Sequence, residues 1–273
     1  MSCSCFLYVL SLHIKQFVVC KEIFWSIHCE LPKTFTKESY MLAYNFLHKA
    51  GYKHPSKSAK MSIYGGTIFA TSNEYKRHGI IVPRVNTACK KGKPGYKALQ
   101  LPFVTELAKL AETCMFQYLE KNNRELLEKV CFFRKIAPQE LLVCGSIFNG
   151  MALVGDLSDG YNHIHKDIND LCSIILMVGN KITGGNTLYY KEKVPLMDSD
   201  IQHSESFCHG KFQVGPFDKI YHAGEAWKGP RGIISFYINH QMYDHFKKYG
   251  TNIYHDWKNE ENKNFPQFLA ITT

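Results

Sequence analysis

Two histidines and an aspartate restrict what this chain can fold into more than any other feature: His165-Lys166-Asp167, then His222 far downstream, then Arg231. In an extended strand, residues two apart point to the same face, so His165 and Asp167 present an imidazole and a carboxylate side by side. A second imidazole joins them only if the fold lays a distant strand alongside. Two histidines and one carboxylate on one face of a metal leave coordination positions open, an arrangement that suits non-haem iron(II). Arg231 lies beyond the second histidine, where a rigid guanidinium fork can hold an anion.

Spacing alone does not carry that reading. With 13 His and 24 Asp plus Glu, some His-x-acid pairs arise by chance, and His28-Cys29-Glu30 and His203-Ser204-Glu205 are two of them. What distinguishes His165 and Asp167 is the sequence around them. Residues 171–178, LCSIILMV, read as a buried strand, and Gly184-Gly185-Asn186-Thr187 reads as a turn into another. Residues 219–222 lead into a glycine- and proline-bearing loop, and residues 233–238, IISFYI, read as the next strand. Taken singly, each residue has a plainer use. His222 suits a strand end with one hydrogen bond, Arg231 a surface ion pair, and Tyr189 and Thr187 core packing. Asn169 and Asp170 suit a turn before the strand. The case rests on the set occurring in order.

In that order, residues 140–240 resemble the 2-oxoglutarate and Fe(II)-dependent dioxygenases. The resemblance rests on the His165-Lys166-Asp167 motif, the Gly184-Gly185-Asn186-Thr187 turn, the HAGEAWKGPRG segment at 222–232 and the strand that follows. The nine-residue step from His222 to Arg231 and the double-glycine turn are similar to the prolyl-hydroxylase branch. The stretch HKDIND is similar to the TET and J-binding-protein branch, which oxidises methyl groups on nucleobases. The family pattern Arg-x-Ser is absent: Gly232-Ile233 follows Arg231, and the serine comes later, at Ser235. The resemblance implies an α+β fold with a double-stranded β-helix (jelly-roll) core. It implies Fe(II) on His165, Asp167 and His222, with 2-oxoglutarate as co-substrate held by Arg231 and touched by Tyr189 and Thr187. It further implies that O2 is consumed and succinate and CO2 are released as a substrate is hydroxylated or oxidised. Two alternatives stand beside it: a non-catalytic β-helix binding module, and a cupin-type metalloprotein using His163, His165 and His222 without 2-oxoglutarate.

Composition is compatible with a globular enzyme. At 45% hydrophobic and 14% aromatic residues over 273 positions, the chain can bury a substantial core. Ten cysteines scattered from Cys3 to Cys208 form no CxxC pair, which points to reduced thiols inside a cell, cytoplasmic or nuclear. The apolar run at 6–12 is too short for a membrane span and lacks the flanks of a secretory signal, so no membrane role is expected. Charge is uneven: residues 33–97 hold 13 Lys and Arg against Glu38 and Glu74, while the rest holds 20 against 22 Asp and Glu. Lys90, Lys91, Lys93 and Lys97, beside Gly and Pro, read as an exposed loop, and nearby Tyr75 and Tyr96 could stack on bases. Nucleic acid is therefore a candidate partner, against the simpler reading of a solvated loop.

The expected organisation follows the chain. Residues 1–32 form an N-terminal extension, a leading strand or one of open order, and 33–100 form the basic region. Residues 101–240 hold helices packed on the sheet and then the β-helix core, and 241–273 a terminal helix and coil. The first helix is predicted to start at a Thr105 cap and to present Leu110, Ala111, Cys114 and Tyr118 on one face. It breaks at Asn122-Asn123, before a second helix through Leu126, Leu127, Val130 and Cys131.

Overall fold

The computed structural model describes residues 13–49, 67–70, 72–77, 80–85, 89–154, 164–193 and 200–250. The chain opens with a hairpin of β1 (His13–Val19) and β2 (Glu22–His28), joined by Cys20 and Lys21. Both turn residues have positive φ, 49° and 72°, the backbone twist that a two-residue hairpin loop favours. Helix α1 (Lys37–Lys49) follows, then strands β3 (Thr67–Ala70), β4 (Ser72–Arg77) and β5 (Ile80–Val85), the last two forming their own ribbon.

Three helices come next. α2 (Pro94–Leu99) and α3 (Pro102–Asn122) each begin with proline, whose fixed φ and missing N–H suit a first helical turn. This corrects two expectations. The Lys90–Lys97 stretch is a turn only as far as Lys93, after which α2 begins. Thr105 is not a cap but lies within α3, because Pro102 sets the start and Leu101 takes the cap position without a side-chain bond. The break falls at Asn123, whose side-chain oxygen accepts from Leu126 N–H at 3.0 Å and so starts α4 (Arg124–Ile136).

The remaining strands shuttle between two sheets. β6 (Gly150–Val154), β7 (Asp170–Gly179), β11 (Lys211–Gly215) and β14 (Arg231–Asn239) lie in the large sheet, ordered β1-β2-β11-β7-β14-β6-β3. β9 (Thr187–Tyr190), β10 (Ile201–Glu205) and β12 (Tyr221–Gly224) form the small one, ordered β10-β9-β12, and His165 bridges to His222 on its far side. The short pair β8 (Thr183–Gly184) and β13 (Trp227–Lys228) seals one end, and α5 (His240–Tyr249) follows β14. Every strand pairing among the described residues is antiparallel, and apart from the consecutive pairs β1–β2, β4–β5 and β9–β10, neighbouring strands are far apart in the chain. The core is thus the double-stranded β-helix that the resemblance implies.

Two apolar layers hold it. On the outer face of the large sheet, Ile174, Leu176, Val178, Ile234, Phe236 and Ile238 pack in one core with Leu107, Ala111 and Met115 of α3. Between the sheets, Ile175 and Ile233 pack with Tyr189, Phe217, Phe17 and Phe24. β7 is covered on both faces, so it reads as an unbroken apolar run rather than an alternation.

The N-terminal hairpin is tied to the small sheet by a buried charge. Glu205, 1% exposed, accepts from Lys211 at 2.9 Å and Lys15 at 3.1 Å, with His203 at 3.2 Å. Burial raises its pKa, but the bonds from Lys211, Lys15 and His203 outweigh that and hold it down at about 2. A carboxylate depressed in the folded state adds stability above its unfolded pKa, and loses it as pH falls through the ordinary range towards 2. The midpoint of urea unfolding should therefore drop between about pH 5 and pH 3. Glu205→Gln should flatten that slope and lower stability at neutral pH by about 3 kcal/mol. An unchanged slope in the variant would show that other carboxylates govern the acid limb.

Candidate metal centre

Backbone pairing creates the centre. His165 N–H donates to His222 O at 3.0 Å and His222 N–H donates to His165 O at 2.9 Å, a two-way antiparallel bridge that sets both side chains on one face. The imidazole centroids lie 4.3 Å apart. Asp167 is held by its own N–H, which donates to Phe217 O at 3.0 Å, and by Ser173 Oγ, 3.3 Å from its Oδ2. The outcome is a compact donor set: Asp167 Oδ1 stands 3.5 Å from His165 Nε2, and Oδ2 stands 3.9 Å from His222 Nε2. One ligand atom from each of the three lies within 4.8 Å of the others, the one such group of His, Cys, Asp or Glu among the described residues.

These residues fit a first-row metal. Bonds of about 2.1 Å at right angles would place ligand atoms about 3 Å apart, so only a small contraction is required. His222 Nδ1 lies 3.1 Å from Ile220 O; the carbonyl accepts the Nδ1–H, which leaves Nε2 bare and pointing at Asp167. Other carboxyl groups crowd nearby. Burial first, then the charges of Asp167 and Asp218, push Asp170 well above the usual carboxylate range, and Asp218 is likewise raised mainly by burial. Such crowding makes the surroundings favourable to a cation. Asp170, expected as a turn residue, is the first residue of β7, with its N–H donating to Asp167 O at 2.8 Å.

Arg231 opens β14, opposite Gly179 of β7. It is 1% exposed, so it is not the surface arginine that its residue type alone suggests. None of its three guanidinium nitrogens has a hydrogen-bond partner among the described residues. Its surroundings are aromatic instead: the Trp227 ring lies 4.3 Å and the Phe207 ring 5.7 Å from the guanidinium carbon. Burial lowers its pKa to about 10, which still leaves it charged at neutral pH. A buried, unpaired cation is costly, so the geometry calls for an anion.

The double-glycine turn makes room for it. Gly184 and Gly185 have φ of +74° and +78°, which favours glycine. A Cβ on Gly185 would meet Arg231 Cδ at 3.0 Å and Trp227 Cβ at 3.1 Å. Tyr189 pairs with His222 across β9 and β12; its hydroxyl donates to Gln213 Oε1 at 3.0 Å, amid Phe17, Phe24 and Phe217. Thr187, two residues earlier on the same face, is buried opposite Gly224. Ser235 shares the face of Arg231 but lies about 13 Å further along β14. His163, on which the cupin alternative depends, lies outside the described residues. A cavity of about 180 Å³ lies behind the centre, bordered by Ser173, Phe217, Asp170 and Tyr118; its lining includes neither His222 nor Arg231.

Sequence reasoning missed Phe207, Gln213 and Ser173. Phe207 and Gln213 meet partners 21 and 24 residues away, and Ser173, though six residues from Asp167, sits inside an apolar run with no local pattern to mark it. Trp227 lay within a motif already singled out, but nothing in the motif says that its ring faces Arg231.

No family model and no curated protein matches the chain. Among solved structures it is similar to NgTET1, determined in complex with 5mC DNA, with 11% identity, a TM-score of 0.47, and 80% of this chain and 73% of that chain covered. It is similar to OsALKBH1, with 13% identity, a TM-score of 0.41, and 83% and 100% covered. A prolyl-4-hydroxylase of Pseudomonas putida is similar at 9% identity and a TM-score of 0.36, with 79% and 92% covered.

His165→Ala, Asp167→Ala and His222→Ala should each abolish stoichiometric Fe(II) binding, since a three-donor site cannot lose a donor cheaply. His163→Ala should leave it intact. Iron content of purified protein measures both, and full iron in any of the first three variants would remove that residue from the centre.

Proposed function

We propose that the protein is an Fe(II)- and 2-oxoglutarate-dependent dioxygenase that hydroxylates or oxidises its substrate and releases succinate and CO2. The observation that carries this reading is Arg231: a buried guanidinium whose three nitrogens have no hydrogen-bond partner among the described residues, in the same β-helix that gathers His165, Asp167 and His222. A cupin-type metal site or a binding module without turnover gives no reason to bury an open cation there.

In this reading His165, Asp167 and His222 hold Fe(II), and Arg231 takes the distal carboxylate of 2-oxoglutarate through its planar fork. Bound iron would supply the oxidising chemistry on O2, with 2-oxoglutarate as the source of electrons. The chain's own residues do the rest. Ile220 O and Ser173 Oγ orient His222 and Asp167. Ile175, Ile233, Tyr189 and Phe217 keep the space between the sheets dry, which strengthens the Arg231 pair. Tyr189 and Thr187 face that interior, where we assign them contact with the co-substrate.

The test is titration of 2-oxoglutarate into iron-loaded protein. Arg231→Ala should keep its iron but bind 2-oxoglutarate at least about 100-fold more weakly, as expected when a buried charge pair loses one partner. Equal affinity in the variant would exclude Arg231 as the anchor.

Nucleic acid is the partner we propose for the basic stretch. Lys91, Lys93 and Lys97 are exposed around the start of α2, with the acidic residues of the chain concentrated elsewhere. Binding to DNA or RNA should fall steeply with salt. Neutralising Lys90, Lys91, Lys93 and Lys97 together should weaken it alike for every sequence, without altering uncoupled 2-oxoglutarate turnover. Gel shifts over a salt series decide this, and no binding at low salt would leave the stretch a solvated surface.

A further inference from the structure

Arg231 is open only because other residues keep it so. Glu225 is a nearby carboxylate whose charge reaches the guanidinium, yet it makes no bond to it. Glu225 Oε2 instead accepts from Asn186 N–H at 3.2 Å, and Glu225 N–H donates to Asn186 O at 2.8 Å. The side chain of the same asparagine turns the other way: its Oδ1 accepts from Phe207 N–H at 3.1 Å. Phe207 is one of the two rings beside Arg231, and the other, Trp227, stands two residues beyond Glu225. Gly185 N–H adds a bond to Ala226 O at 3.3 Å. Asn186 therefore links three loops at one end of the barrel: its own, the one after β10, and the one after β12.

We infer that Asn186 is a positioning residue for the anion pocket, pinning Phe207 through its side chain and Glu225 through its backbone so that Arg231 stays walled by aromatic rings and free of an internal carboxylate. The inference rests on the proposed use of Arg231 to bind 2-oxoglutarate. The physical logic has two parts. Rings beside the guanidinium restrict its motion and exclude water, so less order is lost when a carboxylate docks. A glutamate anchored by a backbone N–H is held where it makes no bond to the fork.

The side-chain arm is directly testable, because Asn186→Ala removes the acceptor for Phe207 but keeps both backbone bonds to Glu225. The measurement is the Kd for 2-oxoglutarate of iron-loaded protein by calorimetry, in the native chain, Asn186→Ala, Phe207→Leu and the double variant. Each single change should weaken binding about five- to tenfold, the scale of one lost hydrogen bond or ring contact. The double variant should bind about as weakly as Phe207→Leu alone, because the asparagine acts through the ring. Iron affinity should stay native in all of them, which separates positioning from a general loss of structure. Phe207→Leu keeps its backbone N–H, so it remains informative if Asn186→Ala folds poorly. Native affinity in Asn186→Ala, native affinity in Phe207→Leu, or losses that multiply in the double variant would overturn the inference while leaving the co-substrate reading in place. Failure of the native protein to bind 2-oxoglutarate would overturn both.

Discussion

The structure depends on one backbone bridge. The paired bonds between His165 and His222, at 3.0 and 2.9 Å, are, among the described residues, the only backbone pairing of the segment before β7 with the small sheet. They place two imidazoles on one face, and the bond from Asp167 N–H to Phe217 O holds Asp167 beside them. A shift of one residue in this register would turn one imidazole to the opposite face. What fixes the register lies on either side of it. β12 pairs with β9 over four residues, and Asp167 is bonded to Phe217 O just before β12. The metal centre is thus a consequence of β-helix topology rather than of a local motif folding by itself.

The two ends of the barrel bear opposite electrostatic demands. Near His165 and His222, burial and then the charges of Asp167 and Asp218 raise Asp170, and burial raises Asp218, a cluster that a bound cation relieves. At the other end the Arg231 guanidinium is buried with no hydrogen-bond partner among the described residues. β7 joins the two, with Ser173 bonded to Asp167 near its start and Gly179 opposite Arg231 at its end. Both arrangements disfavour the unliganded fold, and local strain of this kind concentrates where ligands bind. The apolar layers on the two faces of the large sheet supply the rigidity that keeps such sites in place.

How much of this was legible in the sequence follows from the range of each signal. The buried strand β7 was visible as an unbroken apolar run, and Asn123 as a helix break, because both signals lie within a few residues. The triad was visible because a strand's two-residue period fixes His165 relative to Asp167, while resemblance linked them to His222. Thr105 misled, since a threonine is a good cap in isolation but Pro102 had already set the start of α3. Glu205 looked like one of the chance His-x-acid pairs. It is instead the most heavily bonded carboxylate of the small sheet, because Lys15 and Lys211 reach it from two other strands. No one-dimensional pattern brings those three together.

Arg231 shows the same limit from the other side. Its residue type and its position after His222 suggested an anion site, but only three-dimensional placement distinguishes an open guanidinium from one spent on an internal ion pair. The difference turns on Glu225, six residues earlier in the chain, and on which hydrogen-bond donor claims it. Asn186 supplies that donor from the turn that Gly184 and Gly185 open. Gly185 is needed because Arg231 and Trp227 fill the space of its missing side chain, and Asn186 follows because the loops on both sides need one residue to join them. A short motif can therefore carry two separate constraints, one steric and one polar, and both converge on the same guanidinium.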